Sequence, residues 1–301
     1  MILGCYIHFH KQYFYHFDLK GFLLGLMAYT VWYFSAIGIA FWRKVVFSEQ
    51  TSNAPLLFIG IVIGIFSFKF IGKGTQIFAV AKRAMKLSAD EVIAVSEKKP
   101  ILYLRSFDRD KEQAPSKYSL RERENAHFYW NIWNPALWNE RRNFSLEEVI
   151  CMGIGYNRPV IAIGQPGEKL PQLGAFRKYV DNHKWKDTVI SFISKSCFVC
   201  LLIGHSAGLS WESNYILKNI DLCRLLLLIP QNFSDYGWNE FYDRLSDENK
   251  FKLPVKLPQN TVAIFFNTYK KPIVITGDNI IPIYKSIIEY MEKDFPTCDR
   301  L

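Results

Sequence analysis

The stretch "LLIGHSAGLSWE" (201–212) runs an apolar segment into Gly204 and then sets His205, Ser206, Ser210, Trp211 and Glu212 close together. A carboxylate after such a turn can stabilise positive charge or attack an electrophilic carbon. The bland counterpart is a glutamate that opens a helix because a helix N-terminus favours negative charge. The sequence places Trp211 and Glu212 at the mouth of a helix over "WESNYILKNI", where the N-terminus would hold Glu212 ionised and its N–H groups could receive a phosphate. His205, Ser206 and Ser210 offer hydrogen bonds, with His205 fitting a loop donor better than a general base. Trp211 offers a ring to stack on a base or to pack on a sheet.

Three other loops carry residues that suit the same chemistry. "RSFDRD" (105–110) supplies Arg105, Ser106 and Phe107, with Arg105 able to pair with a phosphate. "GQPGEKLPQLGA" (164–175) supplies Gly164, Pro166 and Gly167, whose glycines would let the backbone approach a ligand. "PQNFSDYG" (230–237) is the fourth. None is a Walker or G-x-G-x-x-G motif, so phosphate binding is suggested by position alone.

Position follows from the elements around these loops. From residue 101 onward, apolar strand-like runs alternate with amphipathic helical ones. "ILYLRSF", "PVIAIG", "CFVCLLIG", "RLLLLIP", "TVAIFFN" and "KPIVIT" read as strands, and "SLEEVICMGIGY", "WKDTVISFISKS", "WNEFYDRLSDE" and "IPIYKSIIEYMEKD" as helices. Near-continuous apolar strands separated by helices predict an α/β domain, a doubly wound parallel sheet covered on both faces. The strand at 101 is expected at its centre, between those at 160 and 198. In such sheets ligands bind beyond the carboxyl ends of the strands, where all four loops fall. "SADE" (88–91) and "SLEE" (145–148) have the S-x-x-E form of a capping box. The stretch 108–144 is polar, then rich in tryptophan (Trp130, Trp133, Trp138), and reads as an insertion.

Before this domain, "GFLLGLMAYTVWYFSAIGIAFW" (21–42) carries no charge and is long enough to cross a bilayer core of about 30 Å. "PLLFIGIVIGIFSFKFIG" (55–72) follows after a short polar connection. The chain thus divides into a 1–20 segment, a transmembrane helical hairpin over 21–72, a juxtamembrane helical linker over 73–97 and the α/β domain over 98–301. Residues 1–100 hold 11 Lys+Arg against 5 Asp+Glu, and 101–301 hold 26 against 23, so most of the net +9 flanks the apolar runs. That distribution suits a membrane collar rather than a nucleic-acid-binding face, and the positive-inside rule puts both ends in the cytoplasm. Cys197 and Cys200 form C-x-x-C in a strand-like run and are expected as two buried core thiols. No spacing of Cys and His suggests a metal site.

"LYLRSFDRD", "SLEEV", "PVIAIGQPGEKLPQLGAFRKYV", Trp185 and "LLIGHSAGLSWE" occur in an order that resembles a group of bacterial two-span membrane proteins. Their cytoplasmic part is similar to a Toll/interleukin receptor (TIR) domain. The resemblance spans roughly 20–230 and is strongest over 159–212. It implies a flavodoxin-like sheet, shared with the nucleoside deoxyribosyltransferases, and places Glu212 where many members carry the glutamate that cleaves an N-glycosidic bond. Many TIR enzymes set that glutamate three residues after the helix tryptophan. Here Trp211 and Glu212 are adjacent, as in the deoxyribosyltransferase type. The resemblance implies NAD or a related nucleotide as substrate, no separate cofactor, and self-association through the domain. Its alternatives are a non-catalytic assembly module and a nucleoside-processing transferase.

Overall fold

The computed structural model of the protein describes residues 19–46, 54–84, 86–107, 145–165, 168, 173–181, 183–230 and 235–295. The N-terminal segment up to residue 18, the 47–53 connection, the tryptophan-rich insertion 108–144, Pro166 and Gly167 lie outside these residues. The chain forms two compact units, one holding the first two helices and one beginning at Leu87.

In the first unit α1 (Leu19–Val46) and α2 (Ala54–Ala84) run antiparallel. Their contact is built on glycines. A Cβ at Gly64 would stand 2.6 Å from the Trp42 ring, one at Gly74 2.9 Å from Trp32, and one at Gly60 2.8 Å from Val45. Small residues let helices approach this closely where apolar burial gives no preference between lipid and protein. One helix among the described residues is long and apolar enough to cross a membrane, over Phe22–Val46. The second expected span falls within α2, which carries an apolar stretch over Phe58–Ser67 among the described residues and runs on into the basic stretch after it. At Gly38 an added Cβ would lie 3.3 Å from the Cβ of Ser67, close to the separation a disulfide spans. Gly38→Cys with Ser67→Cys should therefore cross-link under mild oxidation. A mass-shift assay that finds the two thiols free would contradict this packing.

The second unit is α/β. α3 (Ala89–Val95) opens it under the expected capping box, with Ser88 and Glu91 exchanging hydrogen bonds. It packs with this unit, Asp90 lying 2.7 Å from Lys178. Seven strands then form one sheet: β1 (Ile101–Leu104), β2 (Val160–Gly164), β3 (Phe176–Tyr179), β4 (Phe198–Leu202), β5 (Leu225–Leu228), β6 (Thr261–Phe266) and β7 (Pro272–Thr276). Their order is β3-β2-β1-β4-β5-β6-β7. β1 pairs in parallel with β2 on one side and β4 on the other, as its apolar run predicts, and all its residues are buried. Each Leu of β5 is fully buried too, and such a side chain contributes about 1.5–3 kcal/mol relative to exposure.

The sheet is mixed, which corrects the expectation of an all-parallel one. β6 runs antiparallel to β5, and β7 antiparallel to β6. The β6–β7 pairing follows from its connection: 267–271 is a tight turn, in which the Asn267 side chain accepts from the Tyr269 and Lys271 N–H groups. A turn this short joins only antiparallel neighbours, because a parallel crossover needs a dozen residues or more. β3 is an addition that the apolar patterning did not predict. Its residues are "FRKY" and only Arg177 is buried.

The helices α4 (Leu146–Ile154), α5 (Trp185–Lys195), α6 (Ala207–Asn219), α7 (Asp235–Asp243), α8 (Asp247–Lys250) and α9 (Ile280–Asp294) complete the unit. α4 begins with the second expected capping box, Ser145 with Glu148. Cys197 and Cys200 are both fully buried in the core as expected, and Cys200 is a free thiol.

Candidate functional site

The chain passes from β1 outward to β2 and β3, then returns to the other side of β1 as β4 and β5. The sheet order therefore reverses between β1 and β4, and the carboxyl ends of these two strands flank the switch point where ligands bind in such sheets. Arg105 and Ser106 follow β1 directly, Gly164 ends β2, and His205 with Ser206 follow β4. All share one edge.

Arg105 is buried and held from several sides. Its Nη1 donates to the Ile163 carbonyl at 2.8 Å, and its Nε lies 3.2 Å from Glu147 Oε2. The rings of Tyr103 and Phe107 flank its guanidinium at 5.6 and 5.7 Å. Glu147, in the first turn of α4, also meets Arg177 Nη2 at 2.5 Å and accepts from the Ala175 N–H at 3.1 Å. Arg177 donates in turn to Glu168 at 2.9 Å, which also accepts from the Tyr179 hydroxyl at 2.8 Å. This ladder of two guanidiniums and two carboxylates was not read from the sequence. The pair "EE" at 147–148 was explained there by capping, which employs only Glu148.

Glu212 is buried beside this ladder, and two features correct its expected role. α6 starts at Ala207, with the Ser206 hydroxyl accepting from the Leu209 N–H as N-cap. Glu212 is thus the sixth residue of the helix and beyond the reach of its N-terminal field, which fades after the first turn. Burial pushes its carboxyl up to about 8, and the Arg105 charge opposes that only in part. Burial therefore holds Glu212 largely protonated at neutral pH, not ionised as the helix-mouth reading expected.

The other candidates divide. Ser106 is buried and Phe107 is partly exposed. Ser206 is occupied as the helix cap. His205 Nδ1 lies 3.2 Å from Glu240, and its carbonyl accepts from Arg244, which also meets Glu240 at 2.5 Å. His205 is thus tied to α7 and its flank rather than set as a base. Trp211 stacks on Tyr215 at 5.3 Å and meets Trp185 edge-on at 5.0 Å, with the Lys186 ammonium 5.1 Å from its ring. Gly164 is needed for a different reason than ligand approach: an added Cβ would stand 2.4 Å from the Tyr179 ring paired beside it. The structure puts Glu212 within the influence of the Arg105 charge, gives Trp211 and Gly164 packing roles and makes Ser206 a helix cap. Among the described residues no group of His, Cys, Asp and Glu is arranged to hold a metal.

Compared with protein-family models, with curated proteins and with solved structures, the chain finds no match.

Proposed function

We propose that the protein is a membrane-anchored, TIR-like enzyme that cleaves the N-glycosidic bond of NAD or a related nucleotide. The observation that carries this reading is the buried carboxyl of Glu212 beside Arg105 at the point where the strand order reverses. Perturbed carboxyls in such crevices are recurrent functional groups. The parallel order β3-β2-β1-β4-β5 supports a flavodoxin-like core, and α1 supports an anchor, with α2 as a second span and the α/β unit in the cytoplasm.

In this reading the nicotinamide ring enters as a cation and leaves as a neutral base, so no acid is required. Positive charge builds on the ribose as the C1′–N bond breaks, in an oxocarbenium-like transition state. An arriving cation favours the ionised form of Glu212, whose proton passes to solvent, and the carboxylate then stabilises the charge. Water adds at C1′ and releases a proton, giving ADP-ribose and nicotinamide.

The protonated resting state of Glu212 supports a second reading, nucleoside processing, in which Glu212 donates its proton to a departing neutral base. The two differ in sign. With detergent-solubilised full-length protein, kcat/KM for NAD should rise roughly tenfold per pH unit below about 8 and then level off. A nucleoside reaction using Glu212 as acid should instead fall above about 8. Chromatography of products from NAD and from nucleosides checks both. Turnover of neither substrate class would leave a non-catalytic assembly module, self-associating through the domain.

A further inference from the structure

We propose that β7 is a self-association edge: two copies of the chain pair antiparallel through it, about a two-fold axis at Val274, and join their sheets into one. The inference goes beyond the catalytic reading and does not depend on it, since it involves neither Glu212 nor a substrate.

β7 ends the sheet, with β6 on one side and no further strand among the described residues on the other. The direction of its backbone groups follows from the bonds that flank it. The Asn267 N–H donates to the Lys271 carbonyl at 3.1 Å, and the Gly277 N–H to the Asn260 carbonyl at 3.0 Å. Antiparallel ladders alternate, so Lys271, Ile273, Ile275 and Gly277 turn their groups toward β6, while Pro272, Val274 and Thr276 turn theirs away. Among the described residues nothing hydrogen-bonds these three from the open side.

A second copy fits this edge because the edge complements itself. With Val274 opposite Val274 of the other copy, the whole strand Pro272–Thr276 is paired from end to end. The two Val274 residues exchange N–H and C=O groups, and each Thr276 N–H meets the Pro272 carbonyl of the other copy. Proline and lysine ordinarily discourage pairing at an edge. In this register Pro272 has only to accept, so its lack of an N–H leaves nothing unpaired. Each exposed Lys271 comes alongside the exposed, oppositely charged Asp278 of the other copy. Ile273 and Ile275 are half-buried in one chain and would be covered further by Ile275 and Ile273 of the other. A contact one strand wide is small against the about 1,200–2,000 Å² of a stable interface, so it forms where copies are held at high local concentration. The Phe22–Val46 helix, long enough to cross a membrane, would supply that confinement.

The test cross-links the full-length chain in the membranes of cells expressing it, against the background of its own cysteines. In the proposed pair the two Val274 Cα atoms lie about 5.5 Å apart, within the span of a disulfide, and the two Ile275 Cα atoms about 8 Å apart, beyond it. Mild oxidation should therefore give a species of twice the mass with Val274→Cys and no more than the wild-type level with Ile275→Cys. Thr276→Pro, added to Val274→Cys, removes a donor that faces away from β6 and leaves the ladder intact, and it should cut the cross-linked fraction several-fold. The contrast between the two cysteine variants decides the matter alone if the proline variant does not fold. Absence of the dimer with Val274→Cys, an equal yield with Ile275→Cys, or a yield unchanged by Thr276→Pro would overturn the proposal. So would a disulfide formed within one chain, which would mean that another part of the same chain covers the edge. The assay contains no substrate: cross-linking without turnover of NAD supports this edge while sinking the NAD reading, and turnover without cross-linking does the reverse.

Discussion

Glu212→Gln should lose nicotinamide release and at the same time make the protein more stable above neutral pH. Both effects come from one carboxyl. Its pKa rises from the ordinary 4.5 to about 8 on folding. Below 4.5 the folded and unfolded chains are both protonated, and the group has no effect on their balance. As pH rises from there, the unfolded chain ionises while the folded one keeps its proton, so folding stability falls until about pH 8. At about 1.4 kcal/mol for each tenfold change in proton affinity, the accumulated loss is on the order of a few kcal/mol. Glutamine does not titrate and escapes it. Thermal midpoints of mutant and wild type should then nearly coincide at about pH 5 and diverge in favour of the mutant by about pH 8. Loss of the charge should also lower the rate of NAD cleavage by roughly 10²–10³ or more. A midpoint difference independent of pH would show that Glu212 does not hold its proton in the folded state. Equal turnover would return it to a packing role.

Arg177→Leu should be the most damaging single change in the sheet. The Arg177 side chain is fully buried between Glu147 at 2.5 Å and Glu168 at 2.9 Å. Leucine fills part of the volume but strands carboxylates that burial has already stripped of water. Removing one partner of a buried pair in this way costs about 3–5 kcal/mol. The deficit has a sign in pH as well. Without the guanidinium the stranded carboxylates bind protons more readily in the folded state than in the unfolded one. The mutant should therefore recover part of its stability as pH falls, and lose it again as pH rises. Urea unfolding followed by tryptophan fluorescence at two pH values checks both statements. Wild-type midpoints at neutral pH would show that the ladder does not hold the β3 edge.

The contrast between what could be read from residue order and what could not is instructive at particular positions. "ILYL", "VIAI" and "FVCLL" announce buried parallel strands because every residue is apolar, which only a sheet covered on both faces tolerates. Both capping boxes were legible because their hydrogen bonds are local. β3 was not, since "FRKY" mixes charge with aromatics and its one buried residue is an arginine. The partners that make Arg177 burial possible lie at positions 147 and 168, and no local pattern links them. The antiparallel end of the sheet was readable in principle from the short "NTYKK" turn. Glu212 was found by type and place, but its protonation was misread by setting the helix start at Trp211. The Ser206 cap, a local signal, moves that start back by more than a turn and removes the supposed support for its charge.

The arrangement of β1 also dictates an order of assembly. β6 and β7 are joined by a tight turn and can meet within microseconds of being released from a ribosome or a denaturant. β1 is the first strand of the sheet to be synthesised, yet Ile101 finds its partners only at Val160 and Phe198. Closing loops of that length must precede any contact that rewards them. The strand that ends at Leu104 is therefore an apolar segment left without either neighbour until β2 and then β4 have been made. It is where a chaperone would have to hold the growing chain, and where a stalled or truncated chain would aggregate.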